Sequence, residues 1–103
     1  MYKFDELDTL IDHLLDDEIQ AYDLPYYMEP MLEDISFVGL LEAYLEEAIA
    51  HKNADRIEGV LILAGKLGED KKLLSRYENL LLEDWHHSHE DLVDTIEYYG
   101  NAS

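Results

Sequence analysis

The 103 residues include no cysteine, which removes a disulfide framework, a thiolate nucleophile and any cysteine-ligated zinc site. Bases are scarce: Lys and Arg number 7 against 25 Asp and Glu, a formal charge of -18. A surface of that sign repels a phosphate backbone and an anionic bilayer, so nucleic acid and membrane are excluded as natural partners. No apolar run approaches the ~20 residues of a membrane span. The opening MYKFDELDTLIDHLLDDE lacks the basic start and apolar stretch of a signal peptide. A soluble cytoplasmic protein is the expectation. Five scattered glycines (Gly39, Gly59, Gly65, Gly68, Gly100) make no phosphate-cradling loop, and no D-x-D-x-D-G run suggests an EF-hand. Ser36, Ser75, Ser88 and Ser103 lack the glycines of a nucleophile elbow. Carboxylates are too numerous for any pair to stand out as an acid and base. Neither enzyme activity nor a cofactor is expected.

What the chain does contain is helical periodicity. Hydrophobic residues make up 48% of it, ample for the single modest core that this length allows. Asp5 is placed to cap a first helix whose apolar stripe is Leu7, Leu10, Ile11, Leu14, Leu15 and Ile19. Asp8, Asp12, Asp16 and Asp17 mark the opposite face, with Glu18 adjacent. Like charges at that spacing weaken a lone helix, so packing must hold it. The helix is expected to stop near Ala21 to Asp23, ahead of Pro25. Pro25 and Pro30, the only two prolines, break residues 24–35, yet Tyr26, Tyr27, Met28, Met31 and Leu32 are too apolar for a disordered linker. A one-turn helix packed down as a lid is expected there. Residues 1–34 hold 11 acidic groups with Lys3 as the sole base, a charge of -10.

Ser36 is placed to cap a helix to about His51, with Leu40, Leu41, Tyr44, Leu45, Ala48 and Ile49 inward. Asp55 restarts a helix through Ile57, Val60, Leu61, Ala64 and Leu67, which Gly68 ends. Asp70 is placed to cap another, with Leu73, Leu74, Tyr77, Leu80 and Leu81 inward. Ser88 and Asp91 then have the form of a capping box ahead of Leu92, Ile96 and Tyr99. Leu40-Leu41-x-x-Tyr44 returns as Leu73-Leu74-x-x-Tyr77, an offset of 33, with Asp55 matching Ser88 and Val60 matching Val93. Tandem antiparallel helix pairs of this period suggest a short α-solenoid, while chance leucine matches in a small bundle remain the alternative. The fold expected is all-α, one domain over residues 1–103 with about five helices. Its parts are an acidic helix and Pro/Tyr segment at 1–35 and two helix pairs at 36–103.

The corner LLLEDWHHSHEDLV, Leu80 to Val93, concentrates the unusual side chains: the only tryptophan and three of five histidines. His86, His87 and His89 invite a metal reading, but no H-E-x-x-H sets two of them on one helical face, so no metal is expected, and the histidines are expected to satisfy loop backbone groups or to touch a partner. Trp85 is either a plug between helix pairs or an exposed anchor of the kind enriched in interfaces. Neighbouring tyrosines cannot both face inward from one helix, so Tyr26-Tyr27 and Tyr98-Tyr99 are candidates for exposure.

On the segments LLLEDWHHSHEDLVDTIEYYGNAS and LLEAYLEEAIAHKNADRIEGVLILAGKLG, the chain resembles bacterial HEAT-like repeat proteins in which a leucine-rich helix ends in E-D-W-H and is followed by H-E-D. The resemblance spans about residues 37–103 and implies an immunity or interaction role beside a toxin. The charge implies a basic protein as partner, a nuclease domain for choice, attracted and met by carboxylates. Candidate contacts are Asp16, Asp17, Asp23, Tyr26, Tyr27, Glu29, Glu33 and Asp34 in the first segment, and Glu83, Asp84, Trp85, His86 and His87 at the corner. A helical scaffold or adaptor, or an acidic nucleic-acid mimic aimed at a DNA-binding protein, are the other expectations. The oligomeric state is left open by the sequence.

Overall fold

A computed structural model describes residues 4–32 and 35–100. Among them the chain is all-α, with six α-helices and no strand. Helix α1 spans Phe4–Leu15, α2 Leu24–Met28, α3 Phe37–Ala50, α4 Ala54–Leu67, α5 Leu74–Leu80 and α6 His89–Gly100. Short 3-10 turns at Ala21–Asp23 and Glu29–Met31 flank α2, and another at Asp70–Leu73 leads into α5. The expected helix pairs are present as α3 against α4 and α5 against α6, while α1 packs on α4. Extents of 33 × 30 × 29 Å describe a globule rather than an elongated stack. No described helix is long and apolar enough to cross a membrane.

Helix α1 buries Leu7, Leu10, Ile11 and Leu14, the i, i+3, i+4, i+7 stripe of an amphipathic helix. It stops at Leu15, well before the place expected from Pro25. The cause is Asp17, whose φ of 61° is left-handed. Around it Glu18 N–H donates to the His13 carbonyl at 2.9 Å and Asp17 N–H to that of Leu14 at 3.2 Å, the paired bonds of a Schellman ending. Leu15, expected inward, is left 59% exposed. Asp5 lies inside the helix rather than capping it, and its side chain is turned to Arg56. Helix α2 is the one-turn element expected of the proline segment, fastened by fully buried Leu24 and Met28.

Helix α3 starts where the sequence places it: Ser36 Oγ accepts from Gly39 N–H at 3.1 Å. For α4 the cap is Asn53, accepting from Arg56 N–H at 3.3 Å, and not Asp55, which falls inside the first turn. Gly68 ends α4 with φ 73° as expected. Because α4 meets α1 on one side and α3 on the other, it buries Ile57, Val60, Leu63 and Ala64 around more than one face. Gly59 lets α1 approach: a Cβ there would lie 2.7 Å from Ile11 Cδ1.

Arg56, on the first turn of α4, joins three elements. Its Nη2 donates to Asp8 at 2.8 Å and to Asp5 at 3.3 Å, and the guanidinium lies 5.4 Å from the Tyr44 ring centre and 6.0 Å from that of Phe4. The Tyr44 hydroxyl donates to the other Asp8 oxygen. Burial, then the Asp8 carboxylate, keep the Tyr44 phenol protonated far above its ordinary range, and the Asp8 bond holds Arg56 charged.

The second buried tyrosine repeats the pattern. Tyr77 Oη donates to Asp70 at 2.8 Å. Asp70, expected as a cap, is instead turned inward and only 7% exposed. Burial raises its pKa, against the lowering effect of the Tyr77 bond.

Two experiments check these networks. Arg56→Met leaves Asp8 without its charged donor and is expected to lower stability by about 2 kcal/mol, read from urea unfolding midpoints; Arg56→Lys restores only part, since an ammonium keeps an ion pair but has no flat face to lay on the two rings. For Asp70 the folded pKa lies above the unfolded one, so folding binds the proton more tightly and this carboxyl's contribution is lost as pH rises through the raised value. Asp70→Asn, a mimic of the protonated form, is therefore expected to be at least as stable as the parent at pH 7, with the advantage fading on acidification below the ordinary aspartate range. Tyr77→Phe strands the carboxylate and costs about 1–3 kcal/mol at pH 7, most of which Asp70→Asn in the same chain recovers.

Candidate functional site

Charge is divided unevenly along the chain. Residues 35–76 hold six of the seven Lys and Arg against seven acids, whereas residues 77–103 hold seven acids and no Lys or Arg. With -10 in the first 34 residues, a nearly balanced centre lies between two acidic ends. Half of the central bases, Arg56, Lys72 and Arg76, are ion-paired within the fold. Arg76 pairs with Glu42 at 3.0 Å and Glu46 at 2.9 Å, and Lys72 with Glu69 at 3.2 Å, in addition to the pairs of Arg56.

In the first candidate segment, Asp16, Asp17 and Glu29 are exposed and none is ion-paired among the described residues. Asp23 is partly buried and its Oδ2 accepts from Gln20 N–H at 3.2 Å, so this carboxylate is employed in the local turn. Tyr26 is 77% and Tyr27 43% exposed, their rings edge to face at 5.3 Å. The register of α2 explains this: Leu24 and Met28, four apart, point into the core and turn the two tyrosines between them outward. Tyr22 at 81% and Leu15 at 59% extend the same stretch. Neither was singled out by sequence. Leu15 fits the apolar stripe of α1 and is freed only because the helix ends on it, and Tyr22 has no distinguishing neighbour. Glu33 and Asp34 lie outside the described residues.

The corner divides into exposed and structural members. Glu83, Asp84 and His87 are exposed. Trp85 is half-buried against the core and meets the His86 ring edge to face at 5.3 Å. His86 is only 4% exposed. One ring nitrogen, Nε2, lies 2.8 Å from the Leu80 carbonyl, and Nδ1 lies 3.1 Å from Ser88 N–H. A carbonyl only accepts and an amide only donates, so these partners assign a neutral ring protonated on Nε2. Both nitrogens are thereby bonded to backbone groups, and His86 is a buried pin within the corner. His89 stacks on it at 4.4 Å. The capping box expected at Ser88 is not formed. Ser88 occupies the position before α6 and its carbonyl accepts from Leu92 N–H at 2.8 Å, but its hydroxyl is buried without a partner. Among the described residues no group of three His, Asp or Glu converges as a metal cage.

A further acidic groove lies between α4 and α6, lined by Glu58, Asp91 and Asp94 over Leu61 and Ile62, with Thr95 at its edge. Asp91 and Asp94 are one turn apart on α6, and Glu58, distant in sequence, becomes their neighbour only once the helix pairs dock. No periodicity in either segment could have announced the groove.

The single tryptophan makes the corner easy to follow by fluorescence. His86→Ala removes the acceptor of Ser88 N–H and one donor to Leu80, and is expected to cost about 1–3 kcal/mol with a red-shifted Trp85 emission. His87→Ala, at an exposed position, is expected to stay within about 0.5 kcal/mol of the parent. Set against known protein families, characterised proteins and solved structures, the chain matches none of them.

Proposed function

We propose that this chain is an immunity protein that binds and neutralises a basic protein toxin in the cytoplasm, a nuclease being the leading case. In this reading the helix pairs α3/α4 and α5/α6 are HEAT-like units presenting the two acidic ends to the partner. One observation carries the proposal: Asp16, Asp17 and Glu29, exposed and not ion-paired among the described residues, share residues 15–30 with exposed Leu15, Tyr22, Tyr26 and Tyr27. Solubility alone calls for carboxylates and gains nothing from uncovered aromatic rings beside them. An interface with a cationic cleft uses both, the carboxylates for attraction and orientation and the rings for desolvated contact. Glu83, Asp84 and His87 at the corner would supply a second contact.

Backbone strain points the same way. Asp17 adopts a left-handed conformation that glycine takes without strain, and does so beside Asp16 on an already repelling surface. Local stability alone favours glycine there; a partner's cations give the aspartate its reason.

The proposal is tested by sequencing the neighbouring genes and co-expressing this protein with a toxin encoded among them. Normal growth is expected, and undiminished toxicity with this protein present overturns the reading. With both purified, Asp16→Lys combined with Asp17→Lys is expected to slow association about tenfold and to flatten its dependence on salt. An unchanged association rate removes these two positions from the mechanism.

A further inference from the structure

We infer that Tyr26, Tyr27, Glu29 and Pro30 form a receptor for an arginine side chain of a protein partner. This rests on the reading that the segment meets a basic protein, and it names the group recognised there. The four residues line one shallow pocket on the outer side of α2. The two rings stand edge to face, 85° apart, so one presents its face while the other walls the pocket. Glu29 supplies a carboxylate at the pocket, exposed and not ion-paired among the described residues. The platform is fixed beforehand: Leu24 and Met28 are fully buried beneath it, and Pro25 and Pro30 restrict the backbone on either side.

The fold already uses this combination once. Arg56 lies over the rings of Tyr44 and Phe4 while donating to Asp8 and Asp5. Aromatic faces and a carboxylate around a guanidinium are thus satisfied internally at α1, and the same kinds of group stand at α2 with no cation among the described residues. Arginine suits the pocket better than lysine because its planar, weakly hydrated head stacks on a ring while forking to a carboxylate. An apolar occupant would desolvate Glu29 without compensation. A second copy of this chain brings a charge of -18 against the same charge.

The test titrates the whole protein with an acetylated tetra-arginine amide and, separately, its tetra-lysine counterpart at roughly physiological salt, where long-range attraction between exposed charges is screened. Tyrosine ring resonances are followed by NMR and affinity by calorimetry. The arginine peptide is expected to shift Tyr26 and Tyr27 saturably and to bind more tightly than the lysine peptide. Tyr26→Leu with Tyr27→Leu keeps charge and apolar bulk at exposed positions, and is expected to weaken arginine-peptide binding about five- to thirtyfold with thermal unfolding little changed. Equal binding of the two peptides together with an unaffected leucine variant overturns the receptor. The receptor and the toxin reading fail separately. A leucine variant that still binds and neutralises the toxin at full affinity sinks the receptor and leaves immunity standing. Selective arginine binding at the two tyrosines without protection of cells supports the receptor and sinks immunity.

Discussion

Arg56 resolves the main electrostatic difficulty of this chain, which is to dock an acidic helix on an acidic body. Four buried side chains of α1, at roughly 1.5–3 kcal/mol each as an upper bound, supply most of the attraction. A charge-assisted bond of about 2 kcal/mol is smaller than that sum. Its importance lies in direction. The apolar stripe fixes which face of α1 turns inward, but leucine contacts alone leave the helix free to slide along α4. The fork from Arg56 to Asp8 and Asp5, with Tyr44 closing on Asp8 from α3, sets the position along the axis. Gly59 sets the depth by leaving room for Ile11.

The same constraint runs through the second half of the molecule in altered form. Tyr44 and Tyr77, equivalent under the offset of 33, are both buried and both donate to a carboxylate. In the first case the acceptor comes from another helix and is also held by an arginine; in the second it comes from the preceding turn, is buried and has no such cation, so its pKa rises. The offset does not persist through the second helix of each pair. Asn53 corresponds to Ser88, Ile57 to Leu92 and Leu61 to Ile96 at a spacing of 35, and accordingly Leu92 is buried while Val93, matched to Val60 by the shorter offset, is 38% exposed. The connection between α3 and α4 occupies 51–53, that between α5 and α6 81–88. The longer connection is where the histidine pin and Trp85 have room to form.

Helix existence and inward faces were legible because burial follows a period of 3.6, and the apolar residues of α1, α3, α4 and α5 keep to it. Helix ends were legible in part. Three described helices close with Schellman bonds, α1 at Asp17, α3 at Lys52 and α4 at Gly68. The end of α3 near His51 and that of α4 at Gly68 fall where the sequence places them, whereas aspartate in the left-handed conformation at position 17 does not announce an ending as glycine does. Caps show the same asymmetry. Ser36 caps as expected, whereas at Asp70 the pull of a buried phenol overrides local preference, and at Ser88 the His86 ring takes the N–H and the hydroxyl is buried unpaired. Local sequence states what a side chain can bond, and the fold decides which offer is accepted. For the candidate site this meant that the exposure of Tyr26 and Tyr27 could be read from adjacency. The burial of His86 could not, since its partners are backbone groups.

Removing the structural roles narrows what the charge must explain. Asp5 and Asp8 serve Arg56, Glu42 and Glu46 serve Arg76, Asp23 serves a turn and Asp70 holds Tyr77. Each of these carboxylates contributes a bond the fold uses. Asp16, Asp17 and Glu29 in the first segment, and Glu83 and Asp84 at the corner, have no such employment among the described residues, and their mutual repulsion weakens the compact state. The division is not between buried and exposed residues alone, because Glu46 is exposed yet paired. It follows the reach of the bases: carboxylates near Arg56, Lys72 and Arg76, including Asp5 and Asp8 of α1, are answered inside the molecule, whereas among the described residues Asp16, Asp17, Glu29, Glu83 and Asp84, at the two acidic ends, are not. Adding bases to those ends would relieve the repulsion without disturbing any described contact. A chain that has instead kept them almost free of Lys and Arg, with aromatic rings uncovered at both, carries there a stability cost that its own fold does not offset.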